Sequence, residues 1–271
     1  MRTPATLFLL FAITCSSCSK DGAKPNEGTE LLRVKSSLND GTVSYRIYDR
    51  NSANKLQSLR DSITSVHMEI EAIYEPNGKV SRVNMLNPQG ATLFYYEFEY
   101  NADGTVTKRQ TKPGVVNLAD DYNIYTYDAS GHLVSDSQFT KSGMPPIYQV
   151  YSVNKFMYTG DNVTEAEFYS TAGAVAPFLE QRIRYDYDQA INPFKKLDFI
   201  YFMIEATSGV YEIRVRSQNN VTKFFYAEGN APYELLETYS YKYNSSNYPW
   251  KLKVEVNNSN TGLVEAEYFY Y

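Results

Sequence analysis

Few side chains in this 271-residue chain could do chemistry, and none of them forms a recognisable catalytic set. The two histidines, His67 and His132, lie far apart, and the two cysteines, Cys15 and Cys18, lie near the N-terminus. Metal centres, and catalysis by thiols or imidazoles, need such residues clustered at characteristic spacings. The sequence therefore predicts no catalytic residue, no metal site and no cofactor, and we do not expect an enzyme.

Carboxylates could still form an active site in space, so an enzyme stays an alternative. Asp186 and Asp188 flank a tyrosine, and Asp120 precedes Asp121, but two carboxylates are too few for a calcium loop. Turn chemistry explains these pairs better. Glycoside hydrolysis needs two carboxyl groups that meet only in space, so sequence spacing cannot reveal such a pair. The glutamates on predicted strands fall on the polar faces and are interpreted as solvated: Glu97, Glu99, Glu165 and Glu167.

Three other residues are candidate binding or modification sites. Trp250 is the only tryptophan, and with Tyr248 it could stack on a sugar ring. The alternative is that Trp250 is a rim residue that packs beside Tyr248. Ser62, between Asp61 and Ile63, resembles the acceptor of the general O-glycosylation system of Bacteroidetes. An unmodified loop is the alternative there.

The N-terminus predicts export and lipidation. An apolar run over residues 7–13 is too short to cross a bilayer and matches the core of a signal peptide. Together with the small residue Ser17 before Cys18, it resembles a bacterial lipoprotein signal, in which that cysteine carries the lipid. We assign residues 1–17 to the signal peptide, residues 18–30 to the lipidated cysteine and a polar tether, and residues 31–271 to one β-repeat domain. An ordinary secretory signal is the alternative.

The residues after Cys18 also bear on localisation. Ser19, Lys20 and Asp21 resemble the export signal of surface lipoproteins in Bacteroidetes. We therefore expect an outer-membrane protein, anchored by lipid and exposed at the cell surface. The formal charge of −5 and the lack of a basic face exclude nucleic acid as an expected partner.

Tyrosine sets the architecture. The chain has 26 tyrosines and 14 phenylalanines, a composition that favours half-buried strands. A unit of the form Tyr-x-Tyr, turn, Gly-x-Leu recurs about every 26 to 31 residues. Its second aromatic position is marked along the chain by Tyr48, Tyr74, Tyr100, Tyr127, Tyr158, Tyr187, Arg216 and Tyr243.

Turn residues separate the predicted strands. Three units end in a four-residue turn closed by a glycine, as at Gly131, which suits a positive φ. Shorter turns are predicted at Gly160-Asp161 and Asn219-Asn220. With a second turn in each unit, we predict an all-β fold: an antiparallel up-and-down meander of about 14–17 strands, curled into a barrel-like body.

Alternation along the strands predicts an aromatic interior. Aromatic and charged side chains alternate, as in a sheet with one face on the core and one in water. The residues expected to point inward are Tyr185, Tyr187, Tyr239, Tyr241 and Tyr243, and those expected to face water are Arg184 and Lys242.

Two families share this pattern. Tyr125, Tyr127, Asp128, Gly131 and Leu133 match the Tyr-Asp repeat of Rhs-type surface proteins. More closely, the chain resembles Bacteroidetes surface lipoproteins of unknown function with a porin-like fold. That resemblance rests on the lipoprotein signal, the tether, the repeats and the motifs at residues 192–195 and 248–251. It implies a fold and a location but no activity.

These observations favour a lipid-anchored module that binds or scaffolds a glycan or another surface protein. The first alternative is an outer-membrane pore, because a meander of this strand count could close with aromatic side chains outward. The lipoprotein signal and the short turns at both ends count against a pore. The second alternative is an enzyme without a recognisable site.

Overall fold

A computed structural model describes residues 28–38, 40–62, 68–116, 121–142, 147–171, 176–197, 215–257 and 263–271. Cys15, Cys18 and His67 lie outside these residues, as do the predicted signal peptide and most of the tether. The described chain contains sixteen β-strands and a short 3-10 helix. No helix among the described residues has the length and hydropathy of a membrane span.

The strands follow one another closely except between β12 and β13, where residues 192–218 intervene. In order they are β1 Leu31–Leu38, β2 Val43–Arg50, β3 Leu56–Asp61, β4 Met68–Tyr74, β5 Val80–Leu86, β6 Thr92–Tyr100, β7 Val106–Pro113, β8 Asp121–Tyr127, β9 Leu133–Ser142, β10 Ile147–Thr159, β11 Asn162–Ser170, β12 Phe178–Ile191, β13 Asn219–Glu228, β14 Glu234–Tyr243, β15 Pro249–Val256 and β16 Leu263–Tyr270.

The sixteen strands form a closed antiparallel barrel. Each strand pairs with the next, and β1 closes the barrel against β16, with Leu31 opposite Tyr270. The predicted up-and-down meander and its strand count are confirmed. Closure leaves no unpaired edge among these strands, so the barrel offers no template for edge-to-edge aggregation.

The aromatic face points inward, as predicted. Tyr185 and Tyr239 are buried, Tyr187 and Tyr241 pack against the core, and Tyr243 stacks on Tyr241. Arg184 and Lys242 are exposed. The outer wall instead carries ion pairs between neighbouring strands: Lys35–Glu267, Lys108–Glu99 and Lys251–Glu265.

Tight turns join the strands at one end of the barrel. Gly131 has a φ of 83°, and its N–H donates to the Asp128 carbonyl oxygen, as expected of a type I turn closed by a bulge. Asn54 and Asn247 take the same position in two further turns, with φ of 60° and 65°. After glycine, asparagine is the residue type that best tolerates a positive φ.

A tyrosine side chain joins neighbouring hairpins at this same end. Backbone pairing between β7 and β8 reaches only Lys108 opposite Ile124, and beyond it the Tyr127 hydroxyl donates to the Val106 carbonyl oxygen at 2.8 Å. Five other units repeat this bond from the end of one strand to the start of the strand beside it. The pairs are Tyr74–Leu56, Tyr100–Val80, Tyr158–Leu133, Tyr187–Val163 and Tyr270–Pro249. The recurring tyrosine therefore bridges the place where strands diverge.

The connection from β12 to β13 departs from the sequence prediction. Asn219 and Asn220 do not form a turn but begin β13, and Arg216 is buried outside any strand. The described part of this connection includes the 3-10 helix Pro193–Lys196, which Asn192 caps by accepting from the Phe194 N–H. The prediction failed because the match to an earlier turn was local, whereas these asparagines bond to residues that are distant in sequence, Ala190 and Ile191 at the end of β12 and Asn162 at the start of β11.

The 3-10 helix covers one end of the barrel. The Phe194 ring lies 6.5 Å from that of Tyr48 and 6.2 Å from that of Tyr268, and Leu197 and Ser217 are fully buried beside it. We call this the capped end. At the opposite end, the open end, described side chains that point inward remain exposed, with Ile147 at 56% and Phe178 at 47%.

Candidate binding site inside the barrel

A row of polar side chains lines the inner wall on strands β7 to β10. We call it the interior polar row, and its members are Arg109, Asp121, Asn123, Asp136, Gln138 and Ser152. Asp121 and Asn123 alternate with outward residues and share a face with the buried Tyr125, which fixes their direction. The row lies between the aromatic core and the open end, because Asp121 begins β8 while Tyr127 ends it at the capped end.

Hydrogen bonds hold the deeper part of the row rigid. The Arg109 Nη2 donates to Asn123 Oδ1 at 2.7 Å, and Asn123 Nδ2 donates to Asp136 Oδ1 at 2.7 Å. These three side chains are at most 5% exposed. The Arg109 guanidinium also lies over the Tyr96 ring, 4.7 Å from its centroid. Burial is the main cause that raises the pKa of the Tyr96 hydroxyl.

The shallower part of the row is less completely bonded. Gln138 Nε2 donates to Asp121 Oδ2 at 3.3 Å, and Ser152 donates to Gln138 at 3.4 Å. The other carboxylate oxygen of Asp121, Oδ1, is buried but accepts no hydrogen bond from any described residue. A buried carboxylate oxygen without a donor is costly, so this atom is unfavourable where it stands, and only the exposed part of the half-buried Asp121 is available to a ligand.

Among the described residues, the inner face becomes more exposed toward the open end. Thr140 lies opposite Asp121 on β9, and Gln149 lies opposite Thr140 on β10, so all three share the inner face. Gln149 is exposed, and Thr140 and Asp121 are half-buried. Exposure thus increases steadily from the Asp136 level toward the open end, as expected of a site that admits a ligand from that side.

The architecture has known counterparts. A porin-like protein from Bacteroides uniformis superposes with a TM-score of 0.55 at 11% identity, covering 90% of this chain and 98% of its own. One from Bacteroides vulgatus gives 0.54 at 9% identity, covering 89% and 98%. The fold is porin-like. That part of the predicted resemblance is confirmed. The resemblance to a lipoprotein family and the resemblance to Tyr-Asp repeat proteins both stay predictions. Neither a family model nor a curated protein matches the chain.

The predicted site residues do not converge on one place. Cys18 lies outside the described residues, and Ser62 follows β3 near the open end, where its Oγ accepts from the Tyr45 N–H at 2.8 Å. Tyr248 is buried against Tyr270, so little of its ring could contact a sugar. Trp250 is half-buried, with the Lys242 ammonium 5.8 Å from its ring centroid. Stacking on a ligand therefore stays a prediction that rests mainly on Trp250.

His132 has a structural environment at the capped end. Its ring stacks on Tyr158 at 4.5 Å, its Nδ1 lies 3.1 Å from Asp128 and its Nε2 lies 3.0 Å from Asp161. The hydrogen bond to Asp161 is the main cause that raises the pKa of the imidazole, and Asp128 adds to it. Lys55 and Lys79 occupy the equivalent place in two other units, where their ammonium groups lie over Tyr74 and Tyr100.

Other carboxylates named in the sequence serve turns and the outer wall. Asp188 Oδ1 accepts from the Ala190 N–H, and Asp186 lies 3.8 Å from Lys223. Glu99 pairs with Lys108, and Glu165 accepts from the Tyr233 hydroxyl. Among the described residues, no group of three His, Cys, Asp or Glu side chains could hold a metal ion.

Sequence reasoning missed the interior polar row. The alternation that assigns Tyr125 and Tyr127 to the inner face also assigns Asp121 and Asn123 to it, so the signal was present in β8. Arg109 and Asp136 were harder to place, because β-bulges shift the register of β7 against β6 and of β9 against β8.

Proposed function

We propose that this protein is a lipid-anchored envelope protein that binds a glycan through the open end of its barrel. The observation that carries the proposal is the interior polar row, whose half-buried members, Asp121, Gln138 and Ser152, offer carboxylate, amide and hydroxyl groups on the side of the open end. Sugars are recognised by hydrogen bonds from planar polar side chains combined with apolar contacts. A recessed inner wall suits a narrow ligand, whereas a folded protein partner would need a broad accessible surface.

The outer wall argues against a transmembrane pore. In lipid, the ion pairs Lys35–Glu267, Lys108–Glu99 and Lys251–Glu265 would face hydrocarbon. A Lys or Arg facing lipid at the bilayer midplane costs about 2–4 kcal/mol. The interior is also filled near the capped end, where Tyr48 and Phe194 pack together. Both features fit a water-exposed module better than a channel.

The position of the N-terminus supports an anchored orientation. The Gly28 carbonyl oxygen accepts from Asn244 in a turn at the capped end, and Glu30 pairs there with Lys196. If Cys18 carries the lipid, the ten residues up to Gly28 span at most about 35 Å when extended. The capped end would then face the membrane, and the open end would face away from it toward a surface glycan.

Lipidation of Cys18 is tested by metabolic labelling with a palmitate analogue. The label should be lost in Cys18→Ala and kept in Cys15→Ala, because only the cysteine after the cleavage point is acylated. Two or more acyl chains would give stable anchoring, since each buried CH₂ contributes about 0.8 kcal/mol. Label lost from Cys15→Ala alone would assign the anchor to the other cysteine.

Two measurements test the function itself. We expect the purified protein to bind glycans on an array and to produce no conductance in planar bilayers. Steady conductance would favour the pore, and binding only to envelope proteins, with no glycan retained, would overturn glycan recognition. The expectation that the chain is not an enzyme stays a prediction, which hydrolysis of any bound glycan would contradict.

A further inference from the structure

We propose that the interior polar row selects neutral or amino sugars and rejects acidic ones. The inference rests on the proposed function and specifies its ligand class. Along the row, the single guanidinium of Arg109 faces two carboxylates, Asp121 and Asp136. A uronic acid or sulfated sugar would add a further negative charge to this partly buried, acidic wall.

Other inward charges near the open end strengthen the bias. Arg46 is paired with Asp61 at 2.8 Å, so this guanidinium is already neutralised. Glu228 lies opposite Gln181 on the inner face and is exposed. Carboxylates therefore outnumber guanidinium groups on the inner wall that the structure describes, and the open end should attract cations rather than anions.

Asp121 is the member of the row nearest the open end, at the first residue of β8. Its buried Oδ1 accepts no hydrogen bond from the described chain, while its Oδ2 is fixed by Gln138. A sugar hydroxyl or ammonium group that enters from the open end would be attracted by the charge of this half-buried carboxylate, whereas a sugar carboxylate would be repelled by it. The Arg109–Asn123–Asp136 chain lies one level deeper and holds this wall in place, so little ordering would accompany binding.

Phe178 supplies an apolar surface at the same end. It pairs with Ser170 on the inner face of β11 and is 47% exposed. Asp121 lies on β8, four strand spacings from β12, so Phe178 is roughly 19 Å along the wall from the Asp121 strand. An oligosaccharide of several rings could therefore place one C–H face on Phe178 while its other end lies beside Asp121.

The test compares neutral, amino-sugar and uronic-acid oligosaccharides of equal length by calorimetry with the purified protein. We expect binding of the first two classes and at least about tenfold weaker binding of the third. Asp121→Asn, which keeps the side-chain shape, should weaken binding about tenfold or more. Asp186→Asn removes an exposed outer-wall carboxylate and is the matched control, with unchanged affinity expected.

Outcomes separate this inference from the proposed function. If the wild-type protein binds no oligosaccharide, the proposed function fails. If it prefers uronic acids, or if Asp121→Asn binds as tightly as wild type, only the inference fails. Loss of binding in Trp250→Ala with full binding in Asp121→Asn would place the site on the tryptophan instead. Should Asp121→Asn have a lowered urea midpoint, Glu228→Gln, at an exposed inward position, decides instead: an unchanged preference over uronic acids would count against the inference.

Discussion

The hydroxyl of Tyr127 donates to the carbonyl oxygen of Val106 across 2.8 Å, where the backbone ladder between their strands has already ended. The ring fills the gap between two diverging strands, and its hydroxyl satisfies a carbonyl group that the ladder leaves without its usual partner. Six repeat units use this bond. The tyrosines that recur along the sequence therefore join neighbouring strands and do not form a surface for ligand stacking.

Removing this hydroxyl should destabilise the barrel measurably. Tyr127→Phe keeps the ring but leaves the Val106 carbonyl oxygen without that donor, and we expect a loss of about 1 kcal/mol in the free energy of unfolding. Urea denaturation followed by circular dichroism measures it. Tyr95→Phe is the control, because its ring lies on the outer wall under Arg82. Equal effects at the two positions would contradict a special role for the repeated tyrosine.

The turn glycine at position 131 should tolerate asparagine better than valine. Its φ is 83°, and a Cβ built there meets no atom within 4 Å, so the cost of substitution is conformational rather than steric crowding by neighbours. We expect Gly131→Val to lose about 1 kcal/mol or more. Gly131→Asn should lose clearly less, because Asn54 and Asn247 adopt this conformation in the same type of turn. Urea midpoints that rank the variants in the reverse order would refute the argument.

His132 should make stability depend on pH. Ionised carboxylates only accept hydrogen bonds, so contacts to both Asp128 and Asp161 require the protonated ring, and the pKa of His132 is raised above its ordinary value near 6.5. The stabilisation from these two contacts is complete below the ordinary pKa near 6.5, and it is lost as pH rises through the raised pKa of the folded state. Relative to His132→Gln, the wild-type protein should be more stable at pH 5.5 and lose that advantage by pH 9. A difference that does not change with pH would show that His132 acts only through packing on Tyr158.

Ser62 gives a prediction that mass spectrometry decides. If the motif is used, protein purified from its native host should be heavier than the lipidated polypeptide by one glycan. That increment should disappear in Ser62→Ala. The serine Oγ already accepts from the Tyr45 N–H, and an ether oxygen could still accept there. A native mass equal to that of the lipidated polypeptide would leave Ser62 as an unmodified loop residue.

Strand order and side-chain direction could be predicted because local signals agree. The alternation of Tyr239, Ser240 and Tyr241 and the glycine at position 131 each fix one feature, and in an up-and-down barrel the next strand in sequence is also the next in space. The connection after Ile191 could not be predicted this way. Its asparagines bond to groups brought near only by the finished barrel, as Asn219 does with Asn162.

The interior polar row could not be predicted in full from the sequence either. Composition identifies Asp121 and Asp136 as polar, but their burial depends on which strands diverge and where a bulge shifts the register. Likewise, His132 is an ordinary residue after a turn in the sequence. Only the fold brings Asp161 from the next hairpin to its Nε2.

Pairing between β1 and β16 has a consequence for how the protein is made. The first strand has no partner on one side until the last strand, ending at Tyr270, has left the ribosome. Each neighbouring hairpin can form as it emerges, because its contacts are local, whereas the final seam joins opposite ends of the chain and carries the largest loop-closure cost. A ribosome stalled before β16 should therefore hold a curled but unsealed sheet with two exposed strand edges, which could pair with other chains until the last strand arrives.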